Sequence, residues 1–443
     1  MNKKKIVYVL GAGISKADNL PLQSELLNQI FTLRPEIFDT SVTNFMQLPI
    51  DIDEQNVLKF YEAFDEQRKE LADFIIINFA SQEEREKYIQ KKKVKDTNIL
   101  STNDWNRIYS IASNLNIAME DIFTLFDKVV LGQENFRTYT TEMISRIHEA
   151  LKKCIIFLLA YKSTKISETE SKSCHKLAKL FFQDRMNSLY QEDILSIITM
   201  NWDSILEKEI YKLCREFNKG KTRMKIYPDL CFYDYSYNES DTRIVSTHIK
   251  AKKYKNIKLL KLHGSINWLV CPNCKRIYVD YDDNIAIYEL STERICPQCE
   301  KIFDEKENIP QMHSILIMPT FLKDLNNLQL RNIWHNAFID LTEAGKVVFI
   351  GYSFPDADFE MRYLLKKAIN QNTKIEVVLH SSDDPLEYKS LLEKHKLSEK
   401  EIHIIIDKLN LPEKRYKSFF NKDMISISYY GLEGYISKES ENG

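Results

Sequence analysis

No stretch of this 443-residue chain is apolar for long enough to cross a bilayer. The longest run, Cys154 to Tyr161, has eight residues, whereas a spanning helix needs about 20. The lysines at positions 3 to 5 are not followed by an adequate apolar region with a small-residue cleavage site, so no signal peptide is expected. A cytoplasmic location, without membrane contact, follows as the default expectation. An excess of either charge is also missing: 62 basic and 64 acidic residues leave a net charge of -2, which provides no global basic field for nucleic acid. The basic run Lys91-Lys92-Lys93 reads as a solvated helix end or loop rather than a nucleic-acid contact. Glycine is scarce, with 10 residues in all, so the pair Gly11 and Gly13 stands out. Eight cysteines could suggest disulfides, but four of them form two Cys-x-x-Cys pairs, which in a reducing compartment points to metal.

What is present describes an ordinary folded protein, 44% hydrophobic and 28% charged, long enough for about three domains. Ile6 to Leu10 is an unbroken apolar run, as in a strand buried on both faces of a parallel sheet. Gly11-Ala12-Gly13-Ile14-Ser15 follows, a tight turn with Ser15 where a helix could begin. A strand, a glycine turn and a helix start form a phosphate cradle when backbone amides are left free. Pro21 marks a loop, and Ser24 to Leu33 is amphipathic. Helical patterns are expected near 54–80, 104–117, 119–131, 135–161 and 170–190. The apolar face of Ile122, Phe123, Leu125, Phe126, Val129 and Val130 reads as core rather than a ligand box.

The character then changes. Strand-like runs are expected at 193–200, 258–262, 314–318, 346–350, 374–379 and 401–406, with helices to about 217 and near 326–344 and 356–370. Residues 224–250 read as irregular strands and loops rich in tyrosine, and Ser437 to Gly443 as a disordered polar tail. Four strands end in small or polar tips: Leu10/Gly11, Met200/Asn201, Leu262/His263 and Ile350/Gly351. Alternating strands and helices imply a parallel sheet, whose ligands bind beyond the carboxyl ends of the strands. Each tip also has a plain structural reading. Gly11 and Gly13 could only turn the chain, Asn201 and Asp203 could cap a helix, His263 could be a buried histidine bonded to backbone, and Ser353 could start a turn. As a set they offer an anion cradle, an amide, a carboxylate and an imidazole able to act near neutral pH.

The metal reading rests on Cys271, Cys274, Cys296 and Cys299. Both pairs are Cys-Pro-x-Cys, with a spacer of 21 residues, and four thiolates make a closed, structural zinc site. Ile277 to Tyr281 and Ile285 to Leu290 are candidates for a hairpin between the knuckles. Cys154, Cys174, Cys214 and Cys231 lack such spacing and read as ordinary thiols.

The order Gly11-Ala12-Gly13-Ile14-Ser15, Thr199-Met200-Asn201-Trp202-Asp203, Leu262-His263-Gly264, the cysteine pairs and Gly351-Tyr352-Ser353 resembles the motif order of the sirtuin family, over the first strand and about residues 194 to 380. The resemblance implies an α/β fold. Its parts would be a Rossmann-like NAD-binding domain (1–24 and 191–443), a large helical insertion (25–190) and a small four-cysteine zinc ribbon (268–302). It implies that Gly11, Ala12, Gly13 and Ser15 hold the pyrophosphate of NAD. Asn201 would lie by the nicotinamide ribose and Asp203 near the nicotinamide, both counted with His263 as catalytic; Thr199 would help bind the cofactor, His263 would act as general base, and Gly351 and Ser353 would contact the adenosine side. The chain departs from deacylating sirtuins, which continue the glycine turn with a Gly-Ile-Pro-x-Phe-Arg segment and carry Phe-Gly-Glu after the zinc module. Lys16 to Leu22 lacks Phe-Arg, and the latter position reads Met318-Pro319-Thr320-Phe321. These traits look like the sirtuin-like effectors of bacterial antiphage defence, which hydrolyse NAD. Such effectors pair with a DNA-translocating ATPase, an Argonaute or another toxin-like subunit, and a homo-oligomer is expected. Three functions stay open: NAD hydrolase, NAD-dependent lysine deacylase, and a sensor that binds NAD or ADP-ribose without turning it over.

Overall fold

The computed structural model describes residues 5–33, 54–94, 101–115, 117–168, 172–187, 195–220, 226–230, 243–244, 255–279, 286, 294–303, 311–318, 320, 325–394, 398–409 and 411–442. Cys231, Pro319, Phe321, most of the tyrosine-rich stretch and nearly all of the expected arm Ile285 to Leu290 lie outside the described residues. Two compact units form. One comprises Met1–Leu20, Glu170–Ser265 and Leu325–Gly443; the other comprises Pro21–Thr169 and Ile266–Asp324. Eleven strands are described: β1 (Lys5–Leu10), β2 (Leu195–Thr199), β3 (Ile226–Leu230), β4 (Arg243–Ile244), β5 (Lys255–Lys261), β6 (Gly264–Val270), β7 (Ile277–Val279), β8 (His313–Leu316), β9 (Ala344–Ile350), β10 (Lys374–Val378) and β11 (Ile425–Ser428).

In the first unit a seven-stranded sheet runs β11-β10-β9-β1-β2-β5-β3, and every neighbouring pair is parallel. This is the expected α/β sheet. β1 is interior, so both of its faces meet protein. Val7, Val9 and Leu10 have no exposed surface, which is why the run is apolar without alternation. The strand order reverses at β1, with β2 on one side and β9 on the other. In such sheets a crevice opens at the reversal.

Two lysines of one strand fix two helices. Lys258 and Lys261 are three positions apart on β5, so they point to opposite faces. Lys258 reaches Asp340 on the helix Leu328–Glu343 at 2.8 Å. Lys261 reaches Glu207 on the helix Ile205–Lys219 at 2.5 Å. Asp340 is fully buried, and it also takes Lys5 Nζ at 2.5 Å and Ser196 Oγ at 2.7 Å. One carboxylate thereby binds β1, β2 and β5 to the same helix.

Two expectations fail at the C-terminal end of the chain. Residues 401–406 form no strand but belong to the helix Glu399–Lys408. Ser398 accepts from the Glu401 amide and the Glu401 carboxylate accepts from the Ser398 amide, and this capping box prevails over the β-branched run Ile404 to Ile406. The last strand is instead β11. The polar tail is not disordered up to Asn442, because Gly431–Asn442 is helical. Tyr435 is buried with its hydroxyl 3.2 Å from that of Tyr8, and Lys438 reaches Glu376 at 3.0 Å. No helix follows the Leu262/His263 tip either, because β6 begins at once, with Gly264 at a φ of 77°.

The second unit holds the expected helices, at Leu26–Thr32, Glu54–Phe79, Thr102–Asn114, Met119–Gly132 and Thr141–Glu168, and one not expected, Gln82–Val94, which carries the basic run Lys91 to Lys93. Ile122, Phe123, Phe126 and Val129 are buried, and the Phe74 and Phe126 rings lie 5.2 Å apart, so that face is core. Buried Arg68 stacks on Tyr109 at 4.2 Å and donates to Asp65 and to the Leu33 carbonyl. β7 pairs antiparallel with β6, through Trp268 opposite Val279.

Removing the Asp340 carboxylate takes from Lys5 and Lys258 the buried carboxylate that they share. Asp340→Ala is expected to cost about 3–5 kcal/mol. Glu343→Ala, which breaks only a half-exposed contact to Lys5, should cost less than about 1 kcal/mol. Denaturant midpoints of the two variants check this, and equal losses would contradict the role given to Asp340.

Candidate functional site

The strand tips expected to converge do so on consecutive strands. β9, β1, β2 and β5 are neighbours and lead into Gly351, Gly11, Asn201 and His263. Backbone bonds extend the ladder past the strand ends: Met200 donates to the Leu10 carbonyl, Leu262 to that of Thr199, and Gly11 to that of Ile350, at 3.0–3.3 Å.

The glycines are required by a close approach. A Cβ on Gly11 would meet the Gly351 oxygen at 2.5 Å, one on Gly13 would meet Gly351 Cα at 2.7 Å, and one on Gly351 would meet the Ile14 nitrogen at 2.7 Å. Gly351 also has a φ of 62°. The β1 and β9 turns therefore touch backbone to backbone. This corrects the cradle of free amides: Gly11 donates to Ile350, Gly13 to the Gly351 carbonyl at 2.9 Å, and Ile14 to the Gly11 carbonyl. The helix after the turn, Gly13–Lys16, is a single turn. The glycines shape the turn first.

Asn201 and Asp203 are tied to that turn. Asn201 Nδ2 donates to the Gly11 carbonyl and to Ser15 Oγ, both at 3.1 Å. Ser15 Oγ in turn donates to Asp203 Oδ2 at 2.8 Å. Asp203 Oδ1 accepts from the Ile205 amide at 3.2 Å, so the capping reading holds for Asp203, though not for Asn201. The Asn201 amide donates to Thr199 Oγ1 at 3.1 Å. Ser15, Thr199, Asn201 and Asp203 are all buried. The Asn201 Oδ1 atom has no partner among the described residues, which suits it to a ligand hydroxyl.

Sequence reasoning missed Lys261 and Glu207. Lys261 Nζ donates to the Asp203 carbonyl and to Glu207 Oε1. Burial raises the Glu207 carboxyl above its ordinary value, with the Lys261 charge opposing the rise. The available signal was a lysine set among the apolar residues Leu259, Leu260 and Leu262.

His263 is buried. Its Nε2 lies 3.3 Å from Asp358 Oδ1, and its ring centroid is 6.3 Å from that of Trp334. Trp334 Nε1 donates to the neighbouring Leu262 carbonyl at 3.0 Å. Asp358 was also missed, because an aspartate before a helical pattern reads as a cap. Tyr352 donates to Asp358 Oδ2 at 2.5 Å. Burial first, then the Asp358 charge, push the Tyr352 hydroxyl far above its usual range, so it stays a donor. The loop between them is held firmly. Phe354 has a φ of 56°, costly for a bulky side chain, yet it stacks on Tyr416 with centroids 4.8 Å apart. Tyr416 donates to the Tyr352 carbonyl and Arg415 to that of Ser353. The Ser353 side chain itself is exposed.

The cysteine cluster belongs to the second unit. Ligand atoms of Cys271, Cys274, Cys296 and Cys299 lie within 4.8 Å of one another. The pairs Cys271–Cys299 and Cys274–Cys296 are each 3.7 Å apart, close to the roughly 3.8 Å edge of a tetrahedron with 2.3 Å metal–sulfur bonds. Tyr278 OH lies 2.9 Å from Cys296 Sγ. Burial raises Cys296, but hydrogen bonds from Tyr278 and nearby amides prevail and bring the thiol down to about 7.

Residues 195–400 match the family model described as SIR2-like domain, which supports a sirtuin-like family for that span. No curated protein matches the chain. Similar solved structures include a Sir2 homolog–NAD complex, 10% identical, covering 99% of this chain and 90% of that chain, with a TM-score of 0.37. Another is Sir2Tm bound to a propionylated peptide, 12% identical, covering 99% and 93%, with a TM-score of 0.32. Both are remote likenesses.

The crowding at the two turns can be separated from the positive φ. Gly431 has a φ of 65° but its nearest Cβ neighbour would be 3.7 Å away. Gly431→Ala is expected to cost about 1–2 kcal/mol from backbone strain alone. Gly351→Ala adds a steric overlap of about 1–3 kcal/mol. Thermal unfolding of both variants checks the order, and an equally mild Gly351→Ala would remove the close approach from the account.

Proposed function

We propose that the protein is an NAD hydrolase that releases nicotinamide and ADP-ribose. In this reading it serves as the NAD-depleting effector of a bacterial antiviral defence system. The observation carrying the reading is the pairing of Asn201 and His263 on adjacent strand tips beside the glycine turns, within a segment that matches a SIR2-like domain. Thr199, Asn201 and Asp203 line the nicotinamide ribose, Gly11 to Ser15 lie along the pyrophosphate, and Gly351 to Ser353 face the adenosine. The four cysteines fit a structural zinc ion, whose closed thiolate shell supplies rigidity and no open coordination position.

The scissile bond joins nicotinamide to C1′ of the ribose, and its cleavage develops oxocarbenium character as in other glycosidic cleavages. Nicotinamide leaves as a neutral pyridine, so no strong general acid is needed. The residues hold the two halves of NAD apart in a fixed geometry and admit water. Asn201 Oδ1 takes a ribose hydroxyl or the water, and His263 removes a proton. The missing Phe-Arg and Phe-Gly-Glu segments favour hydrolysis over lysine deacylation. A free-running hydrolase would exhaust its own cell, so activation by self-association or by a partner, such as a DNA-translocating ATPase or another defence subunit, belongs to the same proposal.

Incubation with NAD, with and without an acetylated peptide, tests this. Nicotinamide and ADP-ribose without peptide are expected; acetyl-ADP-ribose only with peptide would favour the deacylase. His263→Ala and Asn201→Ala should each abolish NAD loss while circular dichroism stays unchanged, and full activity in both would sink the assignment. For the cysteine cluster, elemental analysis should find one zinc per chain. Cys296→Ser should lose it and unfold earlier; a metal-free wild type of full stability would exclude a structural zinc.

A further inference from the structure

Phe359 and Tyr363 are four residues apart on the helix Phe359–Ala368, so their side chains share one face. That face is turned to solvent: Phe359 is 60% exposed and Tyr363 59%. The opposite face of the helix, with Met361, Leu364, Leu365 and Ala368, is already core. Aromatic surface continues beside the two rings. Lys367 lies over Tyr363 and over Phe338 of the helix Leu328–Glu343, at 5.9 and 5.2 Å. Lys366 lies 4.6 Å over Phe419. Burying an aromatic side chain removes about 150–250 Å² from water, so each of the two rings leaves roughly 90–150 Å² outside. The charges around them are unevenly placed. Ahead of the helix stands Asp356, 58% exposed and paired with Arg362. At its far end stand Lys366 and Lys367, both exposed. A uniformly basic aromatic strip would suit an acidic chain. This one is acidic at one end and basic at the other, which suits its own copy running in the opposite direction.

We infer that this face is a two-fold interface between two copies of the chain, with Phe359 and Tyr363 at its centre and Asp356–Lys366 pairs at its rim. The spacing supplies the register. Met361 is midway between Phe359 and Tyr363, and it is also midway between Asp356 and Lys366. Two antiparallel copies of the helix that meet at the level of Met361 therefore set Phe359 of each against Tyr363 of the other. The same register sets Asp356 of each against Lys366 of the other. Arg362, which binds Asp356, precedes Lys366 by one turn, so both charges belong to one flank of the helix. A two-fold axis brings that flank against itself, and the contact is self-complementary, as an isologous interface must be. The opposed helix dipoles also favour the antiparallel arrangement. Four rings supply roughly 360–600 Å² of the about 1,200–2,000 Å² that a stable interface buries. The helix starts one residue after Asp358, so the copy sits beside the end of the Gly351 loop. The interface stands on this surface alone. It gives the self-association invoked for the hydrolase a place, and only that link rests on the hydrolase reading.

Sedimentation velocity of the full-length protein over a series of concentrations tests this. The wild type should form a dimer or an even multiple of one. Phe359→Ser together with Tyr363→Ser should raise the dissociation constant about 30-fold or more, as the loss of central aromatic anchors does. Charge reversal gives the sharper reading. Asp356→Lys sets a lysine against Lys366 twice in each dimer, and Lys366→Glu sets a glutamate against Asp356 twice. Each variant alone should bind itself at least about tenfold more weakly than wild type does. An equimolar mixture of the two restores both pairs and should form mixed dimers of near wild-type affinity. Mixing does not mend a packing defect within either chain. Circular dichroism checks that each variant folds, and if the double serine variant does not, the charge series decides. A monomeric wild type, an oligomer indifferent to these substitutions, or a mixture no tighter than its components overturns the inference. NAD takes no part in these measurements. A dimer that leaves NAD intact would refute the hydrolase reading and keep the interface.

Discussion

The contact between the β1 and β9 turns is the constraint on which the first unit depends. Three glycines let two backbones meet where any Cβ would collide with a main-chain atom at 2.5–2.7 Å. Because they meet, the Gly351 loop lies directly against the Gly11 turn, and Asp358 at its far end comes within 3.3 Å of His263, just past the end of β5. Side chains of β2 and β5 then supply what the glycine turns cannot, an amide, a carboxylate and an imidazole. The amides of Gly11, Gly13 and Ile14 go into fastening the turns.

Charge inside the sheet serves the same end. Lys258 and Lys261 leave β5 on opposite faces, and each is answered by a carboxylate on a different helix. Buried pairs of this kind add little net stability, because desolvation consumes most of the attraction. They do penalise any misplacement, since a helix shifted by one turn would leave a lysine buried alone. Lys261 and Glu207 thereby fix the Asn201–Asp203 turn relative to His263, two residues beyond the end of β5.

Much of the sheet was legible in the sequence, because strands buried on both faces are continuous apolar runs, as in Ile6 to Leu10 and Val347 to Ile350. The tips were legible because small and polar residues interrupt those runs. Residues 401–406 were misread because three isoleucines mimic a strand while the deciding signal, Ser398 with Glu401, lies at the edge of the run. The final helix was missed because its anchor is one residue, Tyr435, meeting Tyr8 at the other end of the chain. Asp358 could not be found from sequence, since a capping aspartate and one that has turned aside look identical. The cysteine spacing, by contrast, carried its own geometry, and four sulfurs gather as the spacing required.

The position of β9 has a consequence for how the protein is made. β1 pairs with β2 on one side and β9 on the other, yet Gly11 and Gly351 lie 340 residues apart in the chain. A ribosome working at about 5–20 residues per second needs roughly 20–70 s to cover that interval. Throughout it, the central strand of the sheet has one edge without its partner. Nascent chains spend that time as an incomplete sheet in need of protection from one another, and the crevice comes into being only with the last third of synthesis.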